Sequence, residues 1–412
     1  MYFDINLSFF FNNFLKKNKK ISKIYRENLT KCLKAADKLI IENKNKSNEI
    51  LNSFSLEYQK KNHFIFNKLK VKKKQLIIGL GGSSAGTKSI SSIIGSPTYF
   101  FDNYDPNYIN SFFKKNNLND FTIYVISKSG KTNETLAILN LTYAHLLKIS
   151  KPNIIKKNII VIVENTNNYL RNFAIKMGFK IIEHNKKIGG RFSCFSETSM
   201  TLFNFNPSLI PSVTNQVMRK LKIKKNNDHT SPVVNAAMIL TMQQINKINF
   251  NINILYNYSL KNYSYWYHQL FAESLGKNYM AMTPMTSICP KDHHSMMQLY
   301  IDGPKDKFFN IFSPNLDVSF QKFSCFNLGI IEKFTPQNFL KEQCSGLVKT
   351  FKNEKIAHRV FSFKNFNKNK LKCILQLMSY MIIETLIIGY AQNINPYNQP
   401  AVERIKKNTF NF

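Results

Sequence analysis

The sequence predicts an α/β protein of two doubly wound domains, each a central parallel sheet covered by helices, with N-terminal helices and a C-terminal segment beside them. Two observations carry this. Short β-branched and aromatic runs recur between longer polar or amphipathic segments, which is the pattern of βαβ units. The runs are continuously apolar, as in strands of a parallel sheet buried on both faces.

In chain order, residues 1–56 read as an N-terminal helical segment without recognisable chemistry. The first domain, 57–205, holds five expected strands: QLIIGL from Gln75, PTYFFDN from Pro97, FTIYVIS from Phe121, NIIVIVE from Asn158 and FKIIEH from Phe179. The boundary is expected near residues 205–230. The second domain, 206–395, holds expected strands NINILYNYS, KFFNIF and HRVFSF. Its expected helices are NYSYWYHQLFAESLGK and a segment from about Pro336 to Phe351. Leu371, Leu375, Met378, Ile382 and Ile388 keep helical spacing and predict a buried helix. That stretch is the longest apolar one, yet it is short of a membrane span and interrupted by Glu384. Residues 396–412 form a C-terminal segment.

Composition bounds the function. The chain has 58 Lys+Arg against 24 Asp+Glu, a formal net charge of +34. Such a surface attracts polyanions. Only six of those bases are Arg, however, and no zinc-finger spacing, basic zipper or RNP-type motif appears. The Lys, Asn, Ile and Phe excess reads as compositional drift, so no specific nucleic-acid partner and no membrane is expected. Six scattered Cys without CxxC spacing predict a reducing compartment, no metal site and no disulfide frame. The N-terminal residues carry Asp4 and no basic region ahead of their aromatics, unlike a signal peptide. A cytoplasmic protein is expected.

Glycine is scarce, 14 residues in the chain, so its clusters mark backbone that turns tightly or approaches a ligand. IIGLGGSSAGTKS runs from a strand into a glycine-rich turn and a helix, offering Gly82, Ser83 and Ser84 to a phosphate or sugar hydroxyl. A tight structural turn is the plain alternative. IYVISKSGKTNETL places Ser127, Lys128, Ser129, Thr132 and Thr135 at a strand's C-terminal end before a helix. Open α/β sheets bind anions there, and helix capping by Ser and Thr is the plain alternative.

These two segments resemble the sugar isomerase (SIS) domains that bind phosphosugars. Further clusters narrow the resemblance to the glucose-6-phosphate isomerase family. KIGGRFSCFS is similar to its G-G-R-[FY]-S signature, and WYHQLFAESLGKN to its Q-x-x-x-E-S-x-G-K helix. KDHHSMMQLYIDGP is similar to its Q-H-S-x-x-Q segment, and NPYNQPAVERIKK to its N-P-F-D-Q-P-x-V-E-x-x-K terminus. The motifs run in order from about residue 75 to 407.

The resemblance implies two SIS-type domains and a cofactor-free aldose–ketose isomerase. It would interconvert glucose 6-phosphate and fructose 6-phosphate through a cis-enediol(ate), in glycolysis and gluconeogenesis. It implies Glu273 as the base that moves the proton between C1 and C2. Arg191 is implied at the enediolate, and His294 and Lys406 in ring opening. Gly82, Ser83, Ser127, Lys128, Ser129, Thr132 and Gln399 are implied at the substrate phosphate. It further implies a homodimer in which His294 crosses the interface. Taken alone, Glu273 is an ordinary helical salt-bridge residue, and His293–His294 a polar surface pair.

Three departures from the family pattern stand out. Gly130–Lys131 replaces more usual residues and predicts a looser loop, Ser129 stands for Thr, and Ile405 replaces a Gly. The chain ends six residues after Lys406, which predicts a smaller dimer contact. A phosphosugar sensor and a basic nucleic-acid-binding protein are the competing readings. The first needs the phosphate loops but not Arg191, Glu273, His294 and Lys406 together. The second predicts strongly salt-dependent association.

Overall fold

The computed structural model describes residues 1–223, 227–278, 281–314, 334–402 and 404. Among them are ten strands: β1 (Phe3–Asn6), β2 (Lys74–Ile78), β3 (Thr98–Phe101), β4 (Phe121–Ile126), β5 (Ile159–Val163), β6 (Lys180–Glu183), β7 (Phe250–Leu255), β8 (Thr283–Ile288), β9 (Lys307–Phe312) and β10 (His358–Phe363). The chain divides into two compact units, Lys46–Ser212 and Met1–Asn45 with Val213–Phe412. The expected N-terminal segment 1–56 is therefore shared between the units. The later boundary between the units lies at 212/213.

In the unit of Lys46–Ser212 the sheet runs β3-β2-β4-β5-β6, all parallel, with Ile78 opposite Val125 across β2 and β4. Every residue of β4 and β5 is buried, which is why these strands read as unbroken apolar runs. One face packs Ile123, Val125 and Val161 against Ile109, Phe112, Ile138, Leu146 and Leu170 of the flanking helices. The strand order reverses between β2 and β4, so their C-terminal ends open the crevice where doubly wound folds bind ligands.

The other unit has the sheet β1-β10-β9-β7-β8, parallel except for β1, which lies antiparallel on β10. Two of its strands escape the sequence pattern. β1 is four residues long, and its alternation is visible only once Phe3 and Ile5 pair with Phe363 and Phe361. β8 contains Pro284, which is tolerated because β8 is the sheet edge.

The Phe366–Ala391 helix is the one described helix long and apolar enough to cross a membrane, and 89% of its most apolar window is buried in the protein. Glu384, 2% exposed, sits in it and is met by Arg359 at 2.6 and 2.8 Å in a two-pronged pair. Arg359 Nε donates to Asn310 Oδ1, Asn310 Nδ2 to Asn251 Oδ1, and Asn251 Nδ2 to the Tyr267 hydroxyl. This buried chain of polar groups ends on the helix that carries Glu273.

His358 opens β10, stacked on Phe9 at 4.7 Å and bonded through Nδ1 to the Ile356 carbonyl. Burial pushes its pKa down from 6.5 to about 4. The unfolded chain then binds the extra proton between pH 6.5 and 4, so the stabilisation is whole above pH 6.5 and is lost as pH falls. The expected loss from this group by pH 5 is about 2 kcal/mol. Urea unfolding at pH 7 and 5 checks it: His358→Gln should flatten that difference, and an equally steep profile in the variant would assign the loss elsewhere.

Candidate active site

The phosphate-loop residues other than Gln399 belong to the unit of Lys46–Ser212. β4 ends at Ile126, and Ser127, buried, donates from Oγ to Thr132 Oγ1 at 3.0 Å. Thr132 precedes the Asn133–Ile149 helix, yet its side chain makes no capping bond. The capping alternative thus fails at Thr132. The first helical amides, which lack intrahelical acceptors, follow the strand end by a six-residue loop. Thr135 adds a fully buried hydroxyl with no hydrogen-bond partner among the described residues. It belongs to the same motif but is absent from the expected phosphate set. Lys128 lies 3.7 Å from Glu164, and Ser129 Oγ accepts from the Lys131 amide.

The loosening expected at Gly130–Lys131 does not occur. Gly130 has φ +63°, and a Cβ there would stand 1.8 Å from Asn168 Oδ1. Its amide donates to the Ser127 carbonyl, and its carbonyl accepts from the Leu170 amide. Glycine lets this loop close tightly.

The other glycine clusters meet each other. A Cβ on Gly82 would lie 2.2 Å from the Gly190 carbonyl carbon and 2.5 Å from the Arg191 nitrogen. Ser193 Oγ donates to the carbonyls of Gly82 and Gly190. Two loops distant in sequence therefore pack backbone on backbone, which only glycine permits. Ser83 lies half-buried in the Gly81–Ser83 turn of this contact. Arg191 is 1% exposed, with its guanidinium carbon 4.9 Å from the centre of the Phe192 ring.

Glu273 and His294 belong to the second unit. Glu273 is half-buried on the Lys261–Leu275 helix and accepts from Gln269 Nε2 at 3.0 Å. The Lys277 ammonium donates to the carbonyls of Glu273, Ser274 and Asn395 at 2.7–2.9 Å. That closes the helix end and ties it to Asn395. Gly276 is needed because a Cβ would meet the Ala272 oxygen at 2.5 Å.

The histidine pair is divided. His293 Nε2 meets the Tyr256 hydroxyl, and burial, then the neighbouring His294, lowers its pKa. His294 is exposed at the end of the Lys291–His294 turn, which follows β8. Asp292 holds that turn by accepting from the Ile288 amide and the Ser295 hydroxyl. Gln399 is exposed, and its carbonyl accepts from the Val402 amide. Lys406 lies outside the described residues. Among the described residues, no three His, Cys, Asp or Glu side chains group as metal ligands.

The family model described as "Phosphoglucose isomerase" matches residues 21–288, more than half of the chain. The chain belongs to the phosphoglucose isomerase family. It is similar to the glucose-6-phosphate isomerase of Methanocaldococcus jannaschii, 30% identical over 357 residues, 83% of this chain and 84% of that protein. It is also similar to that of Campylobacter jejuni, 26% identical and covering 82% and 85% of the two chains. Solved structures share the fold. A hypothetical protein from Thermus thermophilus superposes with TM-score 0.77 at 20% identity, covering 95% of this chain and 98% of that one. A glucose-6-phosphate isomerase from Chlamydia trachomatis gives 0.67 at 16% identity, covering 88% and 73%. The match to the phosphoglucose isomerase family spans both phosphate loops, Arg191 and Glu273; His294 and Lys406 lie beyond it.

Proposed function

We propose that the protein interconverts glucose 6-phosphate and fructose 6-phosphate, with the phosphate held by Gly82, Ser83, Ser127, Lys128, Ser129, Thr132, Gln399 and, in addition, Thr135. The family match over residues 21–288 carries the reading. His294, assisted by Lys406, protonates the ring oxygen as the C1 hydroxyl loses its proton, opening the sugar. Glu273 takes the proton from C2, and negative charge develops on the enediolate oxygens. Arg191 stabilises that charge where water is excluded. A proton passes from O2 to O1, and return of the carbon-bound proton to C1 then yields the ketose. The buried Cys32, Cys194, Cys289, Cys344 and Cys373, none in a disulfide, support a reducing, cytoplasmic location.

The active form is a homodimer, with His294 acting on the partner subunit's substrate; its exposure on the Lys291–His294 turn supports this. A coupled assay of fructose 6-phosphate isomerisation on the purified protein tests the activity. Mixing and refolding Glu273→Gln with His294→Asn tests the dimer. Half of the dimers are then mixed, each with one intact site, so about a quarter of the unmutated rate should return. No recovery places both residues in one subunit's site.

A further inference from the structure

Glu197 follows the Arg191 loop and matches no motif used above, yet it is 4% exposed and both its carboxylate oxygens are engaged. Oε1 accepts from the Asn185 amide at 2.7 Å and stands 3.3 Å from His184 Nδ1. Oε2 accepts from the Tyr58 hydroxyl at 2.8 Å. Asn185 lies just after β6, where the chain enters the loop, and Glu197 lies where it leaves. One side chain therefore pins both ends of the segment bearing Gly189, Gly190 and Arg191. Tyr58 fastens the pin to the Leu56–Asn67 helix, whose Gln59 also donates from Nε2 to the Phe195 carbonyl at 2.8 Å. A buried carboxylate is costly unless its acceptor sites are filled, and here they are filled by groups that define the loop's closure.

We infer that Glu197 is a positioning residue for the isomerisation: it clasps the 185–197 loop shut and so holds Arg191 where charge develops in the reaction. This rests on the function proposed above. The clasp borders a cavity of about 510 Å³, so water can enter the space left by truncation and the fold survives.

Glu197→Ala should lower kcat ten- to hundredfold, as a displaced catalytic group does. The KM for fructose 6-phosphate should stay within about threefold, because the Ser127–Thr132 loop is untouched. Glu197→Gln keeps an oxygen for the Asn185 amide and a nitrogen for Tyr58, and should return kcat to within about threefold of the unmutated value. Amide hydrogen exchange over residues 186–195 should quicken at least tenfold in the Ala variant and stay slow in the Gln variant. A folded Glu197→Ala with unchanged kcat and exchange overturns the proposal, as does a rise in KM with kcat unchanged, or a Gln variant as impaired as Ala. Should the unmutated protein lack isomerase activity, the proposed function fails while the exchange comparison still decides whether Glu197 is the clasp.

Discussion

Glu273→Gln is expected to lower kcat by about 10³- to 10⁴-fold while KM changes less than about threefold. The substitution preserves size and one acceptor oxygen, so Gln269 Nε2 retains its partner and the Lys261–Leu275 helix is undisturbed. The capacity to take a proton from carbon is lost. Lys277 makes its contacts to main-chain carbonyls, so they too persist in the variant. Steady-state kinetics in both directions check it, with binding of a non-reacting phosphosugar analogue as the control. Turnover at the unmutated rate would remove Glu273 from the role of base.

Glu384→Leu is expected to destabilise the protein by about 3–5 kcal/mol, because it strands the Arg359 guanidinium in the core. That is a large share of the roughly 5–15 kcal/mol by which a domain is stable. Arg359 is fully buried and donates two hydrogen bonds to Glu384, the others reaching Asn310 and Asn235. The double variant Arg359→Met with Glu384→Leu removes both charges and should regain most of the loss. It cannot regain all, since the Asn310 and Asn235 oxygens lose a donor. Denaturant unfolding of the three proteins measures the coupling. A single variant within about 1 kcal/mol of the unmutated protein would show that the pair is dispensable.

Much of the fold was legible because a parallel sheet imposes a strong local signal. β4 and β5 are buried along their whole length, so their sequences are apolar almost throughout. β1 and β8 were not legible, since one is too short and the other carries a proline that only an edge position accommodates. In the candidate site, scarce glycines pointed to loops that the structure packs closely. Gly130 makes the tight turn expected of it, whereas Gly82 and Gly190 make room for each other's backbone. Glu197 stayed hidden because its importance lies in burial and in contacts with distant residues.

The formal charge of +34 and the apolar Phe366–Ala391 stretch show the same division. By itself the sequence determined most strands of the two sheets, the loops at their ends and the family motifs, because these depend on neighbours a few residues apart. Tertiary structure alone decided that Glu384 is a core ion-pair partner, that His293 is engaged with Tyr256 while His294 is exposed, and that Glu197 closes the Arg191 loop. Each depends on how far a charged or polar group is removed from water and on which distant group meets it there. Burial and partnership of that kind leave no periodic trace along the chain.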